Sequence, residues 1–121
     1  MELQQLSQSF TICKLRDLSG VDVQAPFSFL SVTDDEISLV CPIEAVPAEP
    51  VAREDGWRGF RVKGTLDFSL VGVLARISTL LANEGISIFA VSTFDTDYIF
   101  TKEEWFDRAV SALTGAGYLF S

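Results

Sequence analysis

Ser69-Leu70-Val71-Gly72-Val73-Leu74-Ala75-Arg76-Ile77-Ser78-Thr79-Leu80-Leu81-Ala82-Asn83-Glu84-Gly85-Ile86-Ser87-Ile88-Phe89-Ala90-Val91-Ser92-Thr93 holds two periods in succession. Leu70, Leu74, Ile77 and Leu81 recur at i, i+4, i+7 and i+11, with Val73 and Leu80 beside them, which predicts one apolar helical face. Ser69 is expected to cap the helix, and Gly85 stands where a left-handed residue ends one. The apolar, β-branched run 86–93 then predicts a strand. Working outward, residues 57–63 alternate around Phe60 and Val62 as a strand before the helix. After the turn Phe94-Asp95-Thr96, residues 97–101 form another strand. Thr101-Lys102-Glu103-Glu104 has capping-box spacing ahead of a second stripe of Trp105, Phe106, Ala109, Val110 and Leu113. Gly115 and Gly117 end that helix, and Tyr118-Leu119-Phe120 returns as a short strand. The order is β-α-β-β-α-β within 65 residues, an α+β, ferredoxin-like arrangement with two helices on one face of a four-stranded sheet.

Upstream the reading is β throughout. Residues 10–15 alternate apolar and polar, and residues 27–33 and 37–41 flank Asp34-Asp35-Glu36 as a hairpin. The Pro-rich stretch Pro42-Ile43-Glu44-Ala45-Val46-Pro47-Ala48-Glu49-Pro50 suits neither a helix interior nor a central strand. It is expected to connect two substructures, a β-rich half at 1–55 and a domain at 56–121. Charge divides there too. Residues 1–56 carry ten acids and three bases, whereas residues 57–121 carry seven acids and six bases.

Composition narrows the chemistry. The chain has 121 residues, 48% of them hydrophobic, which is enough for a core without staples. A net charge of −8 argues against nucleic acid or an anionic membrane as a partner. With no histidine, there is no imidazole base for a nucleophile and no His ligand for zinc. Cys13 and Cys41 lie far apart in sequence, and free thiols of a cytoplasmic protein are the expectation. Met1-Glu2-Leu3-Gln4-Gln5 has neither a basic region nor an apolar run, so no secretory leader is expected. Asp34-Asp35-Glu36 lacks the ordered ligands and central glycine of a calcium loop and reads as a solvated turn. Gly56-Trp57-Arg58-Gly59 lacks the Lys and spacing of a phosphate-binding loop. Trp57 and Trp105 read as core or interface aromatics. No catalytic residue, metal site or cofactor is expected.

Val73-Leu74-Ala75-Arg76-Ile77 and Leu81-Ala82-Asn83-Glu84-Gly85-Ile86-Ser87-Ile88, preceded by Asp67 and Gly72, resemble the ACT domain. Residues 86–99, with their Ser92-Thr93-Phe94-x-x-Asp97 segment, resemble the ACT subfamily of aspartate-kinase regulatory regions and CASTOR-type arginine sensors. The clear likeness covers residues 57–121. The β-only first half is similar to the degenerate second ACT unit of short bacterial members.

The resemblance implies a non-catalytic regulatory module that binds an amino acid, with ligand contacts at Ser69, Leu70, Val71, Gly72, Thr93, Phe94, Thr96 and Asp97. The residues alone leave two readings of the segment 64–72. Its backbone N–H groups and the helix dipole suit a carboxylate, but Ser69 and Gly72 can equally serve only capping and packing. Asp97 suits an ammonium or simply a turn; for Asp95 the turn is the expected role. The alternative is a structural or protein-interaction domain that has kept the fold without a ligand. Residues 86–91 carry no charge and no proline, so this edge strand is expected to pair with another sheet. The acidic half, a second copy or a partner protein would supply it.

Overall fold

The computed structural model describes residues 1–67 and 69–121. It contains strands β1 (Glu2–Gln5), β2 (Phe10–Leu15), β3 (Phe29–Val32) and β4 (Ile37–Pro42), then a 3-10 turn (Ile43–Ala45). Next come β5 (Ala52–Val62), helix α1 (Val73–Asn83), β6 (Ile88–Ser92), β7 (Asp97–Lys102), helix α2 (Glu103–Gly115) and β8 (Leu119–Phe120). The β-α-β-β-α-β order from β5 to β8 is the expected one. Contacts divide the chain into a unit of Met1–Ser7 with Arg58–Ser121 and a second unit of Gln8–Trp57. The chain passes between them inside β5. The Pro-rich stretch therefore lies within the second unit, where Pro42 ends β4 opposite Phe10.

In the first unit the strand order is β8-β1-β5-β7-β6. β1 runs antiparallel to β5, with Leu3 opposite Val62 and Gln5 opposite Phe60, and parallel to β8. The expected four-stranded sheet thus has a fifth strand, from the first residues of the chain, between β5 and β8. Residues 1–7 group with this unit and not with the β-rich half expected at 1–55. Glu2-Leu3-Gln4-Gln5 shows one buried apolar side chain, too short a pattern to read as a strand. Leu3, Phe60, Val62 and Ile99 line the helix-facing side of the sheet, and Val73, Ile77 and Leu81 of α1 and Phe106, Ala109 and Leu113 of α2 close the core.

Helix α1 starts three residues later than the period predicts. Gly72, at its N-cap, has φ 79, and a right-handed helix cannot run through a left-handed residue. The buried stripe is accordingly Val73, Ile77 and Leu81, while Leu70 lies outside the helix. Ser69 is not the cap: its N–H donates to Asp67 Oδ1 at 2.8 Å. At the other end Gly85 is left-handed as expected, its N–H bonding the Ala82 carbonyl and that of Ile86 the Leu81 carbonyl. Those bonds hold Ile86 in the helix cap, so β6 begins at Ile88. The capping box ahead of α2 does not form. Thr101 is buried in β7 with its hydroxyl on the Lys102 carbonyl, and Glu103 and Glu104 favour the helix start through the dipole.

In the second unit the order is β3-β4-β2-β5, joined through residues 52–57 of β5. Counted from β2, this is the β-x-β-β-x-β frame with a loop and a 3-10 turn in the helix positions. The expected hairpin is present: the Thr33 N–H donates to the Glu36 carbonyl at 2.9 Å, and Val32 pairs with Ile37. Buried Cys13, Leu15, Leu39 and Cys41 make a small core. Burial pushes both thiols up, that of Cys41 to about 11.

Gly59 sits on β5 where a Cβ would come within 2.8 Å of two ring carbons of buried Phe100. Gly59→Ala is expected to lower stability by about 1–3 kcal/mol in urea unfolding, and Phe100→Leu in the same chain to recover part of the loss. Equal stability of Gly59→Ala and the parent would contradict this packing.

Candidate functional site

A cavity of about 370 Å³ opens between the start of α1 and the β6–β7 turn. From the segment before the helix come Leu66, Asp67, Leu70 and Gly72, and from α1 itself Val73, Leu74 and Ala75. Ser92, Thr93, Phe94, Asp95, Thr96 and Asp97 form the opposite wall. Of the eight residues expected to contact a ligand, Leu70, Gly72, Thr93, Phe94, Thr96 and Asp97 line this cavity. Ser69 and Val71 do not, and Val71 is 84% exposed.

Two cross-links bring the walls together. The Leu66 N–H donates to the Asp95 carbonyl at 2.7 Å, tying the pre-helix segment to the turn. The Thr96 hydroxyl, 8% exposed, donates to the Val62 carbonyl at 2.7 Å and pins the turn to the end of β5. Within the turn, the Thr93 N–H and hydroxyl both reach the Thr96 carbonyl, at 2.8 and 3.1 Å. Thr96 therefore spends its donor on the fold, so its contribution to the site is to place the turn.

The electrostatics differ from wall to wall. The first intrahelical bond of α1 runs from the Arg76 N–H to the Gly72 carbonyl at 2.9 Å. The N–H groups of Val73, Leu74 and Ala75 thus precede any helical acceptor and carry the positive end of the dipole. Gly72 has no side chain to cap them, and among the described residues none makes a capping hydrogen bond. Facing them, the Asp97 carboxylate accepts a 2.6 Å hydrogen bond from the Ser92 hydroxyl, its partner across the β6–β7 ladder. The Ser69 backbone and side chain hold the Asp67 carboxyl below the ordinary aspartate range. Leu66, Leu70, Leu74 and Phe94 supply apolar surface, and Phe94 is 80% exposed at the mouth. The α1 N–H groups can take an anion and the Asp97 carboxylate a cation, with the Asp67 carboxylate on the same wall as the helix start.

Among the described residues no group of three or more acidic, Cys or His side chains is arranged to hold a metal ion. No helix is long and apolar enough to cross a membrane. The sequence places Ser92 in the segment that carries the resemblance but not among the expected ligand contacts, and it gives no signal for Leu66. Ser92 faces Asp97 only through the strand register, and Leu66 enters through a backbone bond to the distant turn.

The family model of the ACT domain matches residues 52–115. The chain belongs to the ACT domain family. No curated protein sequence matches the chain. Among solved structures, a protein of Agrobacterium tumefaciens superposes with a TM-score of 0.87 at 29% identity, covering 99% of this chain and 91% of that one. A Vibrio cholerae protein described as a possible transport protein gives 0.71 at 20% identity, over 94% and 88% of the two chains. The regulatory subunit of aspartate kinase from Thermus thermophilus gives 0.65 at 12% identity, over 95% and 96%. This ACT domain carries its cavity between the helix start and the turn of the β6–β7 hairpin.

Two outcomes test the geometry. Thr96→Val strands the Val62 carbonyl and is expected to cost about 1–3 kcal/mol in unfolding, with Thr96→Ser close to the parent. Because the folded Asp67 carboxyl lies below its ordinary value of 3.8, its stabilisation is complete above that value and fades as pH falls through the lowered one. An NMR titration should show the Ser69 amide signal moving only in that acid window, and Asp67→Ala should abolish the movement.

Proposed function

We propose that this ACT chain is a non-catalytic regulatory module that binds a free amino acid in the cavity between α1 and the β6–β7 turn. The observation that carries the reading is the pairing of an uncapped helix start with the Asp97 carboxylate across one small cavity. An amino acid carries both complementary charges on one carbon, so its carboxylate suits the α1 N–H groups and its positive charge suits Asp97. Leu70, Gly72, Thr93 and Phe94 form the remaining contacts, with Ser69 and Val71 at the approach to the helix start. Binding without chemistry fits a cavity that offers hydrogen bonds and charge but no imidazole. The unit Gln8–Trp57 acts as a degenerate ACT-like half, and the strand from residues 2–5 completes the sheet of the ACT unit itself. The module works in the cytoplasm, where Cys13 and Cys41 stay reduced.

β6 ends the strand order of its unit and pairs with β7 alone among the described strands, so the acidic half does not supply the expected second sheet. Pairing through this edge is left to a second copy of the chain or to a partner protein, and the homodimer is the form the reading adopts.

A melting-temperature screen against the common amino acids tests the ligand. At ~100 times its dissociation constant the ligand should add ~2.7 kcal/mol, roughly 10 °C for a domain of this size. Asp97→Ala should remove most of the shift and leave the unliganded melt nearly unchanged. No shift with any amino acid at millimolar concentration would leave the ligand-free interaction domain as the better reading. Ala90→Pro should turn a dimer into a monomer by sedimentation, whereas a parent chain that is already monomeric would refute the edge pairing.

A further inference from the structure

The unit Gln8–Trp57 carries nine acidic and three basic side chains, −6 of the chain's −8. It also lacks the two helices that roof the other sheet. A loop over residues 16–28 stands in for the first helix, folded on itself by Asp17 and Asp22, whose carboxylates accept the Ser19 and Gln24 N–H groups at 2.9 and 3.0 Å. The 3-10 turn Ile43–Ala45 stands in for the second helix. Between loop and turn a groove of about 490 Å³ remains open.

Its apolar surface includes Phe27, Pro42 and Val46, the last also packed on the small core of this unit. Phe27 is held at φ 61, a backbone region that aromatic residues rarely adopt, with its ring edge-on to Phe10 at 6.5 Å. The polar lining is Gln8 with the carboxylates of Asp22 and Glu44, both on exposed residues, and no basic side chain lines the groove among the described residues. A groove lined by apolar side chains and two carboxylates in an acidic unit is complementary to one kind of small molecule.

We propose that this groove binds an organic cation with an aliphatic body, an alkylammonium or alkylguanidinium, its charge on Asp22 and Glu44 and its body on Phe27, Pro42 and Val46. The site is separate from the α1 cavity and does not depend on the amino-acid reading. The cation supplies the charge that the groove lacks, and the body covers apolar surface that a helix would otherwise cover. Both parts are needed, because exposed carboxylates alone hold a cation weakly in salt.

Titration of the full chain with n-butylammonium, followed by amide NMR at low salt, tests the proposal. Shifts are expected at Phe27, Glu44 and Val46, with ammonium ion and n-butanol each binding at least ~5-fold more weakly. Glu44→Gln and Asp22→Asn, both on exposed residues, should each weaken n-butylammonium by ~3- to 5-fold, the equivalent of an exposed ion pair. Ammonium binding as tightly as n-butylammonium, or shifts spread over all acidic residues, would mean a diffuse acidic field only and would overturn the site. Unchanged affinity in both variants, or shifts confined to the α1 cavity, would overturn it equally.

Discussion

The inward face of β5 is the constraint on which the rest of the ACT unit depends. Phe60 and Val62 are fully buried there, between Leu3 of β1 on one side and Ile99 on the other, under both helices. The Phe60 ring lies 6.5 Å from that of Phe106 in α2 and 5.6 Å from that of Phe120 in β8. Burying each such side chain contributes on the order of 1.5–3 kcal/mol, more than any surface ion pair in the molecule could. β5 therefore fixes where α2 and β8 stand, and the edge strands follow from it.

The cavity inherits its position from the same strand. The last residue of β5, Val62, gives its carbonyl to the Thr96 hydroxyl, and the turn that carries Thr93, Phe94 and Asp97 is placed by that bond. On the opposite wall, Ile77 and Leu81 press α1 against the sheet, and Gly72 decides where the helix begins. A helix start capped by Gly72 in place of Ser, Thr, Asp or Asn is a small local loss of stability, about a few tenths of a kcal/mol. What the fold loses there leaves the first N–H groups of α1 open toward the cavity.

The second unit has the same strand frame without the helices. Its core of Cys13, Leu15, Leu39 and Cys41 is small, and loop residues replace helical side chains as its cover. Its buried core is correspondingly small, and a groove opens between the loop and the 3-10 turn.

Local physics made much of this molecule legible from its residues. The order of β5, α1, β6, β7, α2 and β8 follows from a switch of apolar period between 2 and 3.6, and Gly85 ends α1 because the left-handed geometry there costs glycine nothing. The hairpin turns at Asp34-Asp35-Glu36 and Phe94-Asp95-Thr96 are readable from their turn-forming residues, whereas the family resemblance, and not local physics, pointed to six of the residues that line the cavity. Tertiary structure decided the rest. β1 is a strand only because β5 and β8 offer it backbone partners, and four residues with one buried leucine carry no period of their own. The start of α1 moved because Asp67 binds the Ser69 N–H and Gly72 turns left-handed, against an apolar spacing that favoured Leu70. Thr96 proved to hold the turn, through a carbonyl 34 residues away. Period and cap are properties of neighbours in sequence; these bonds join positions that meet only once the sheet has formed.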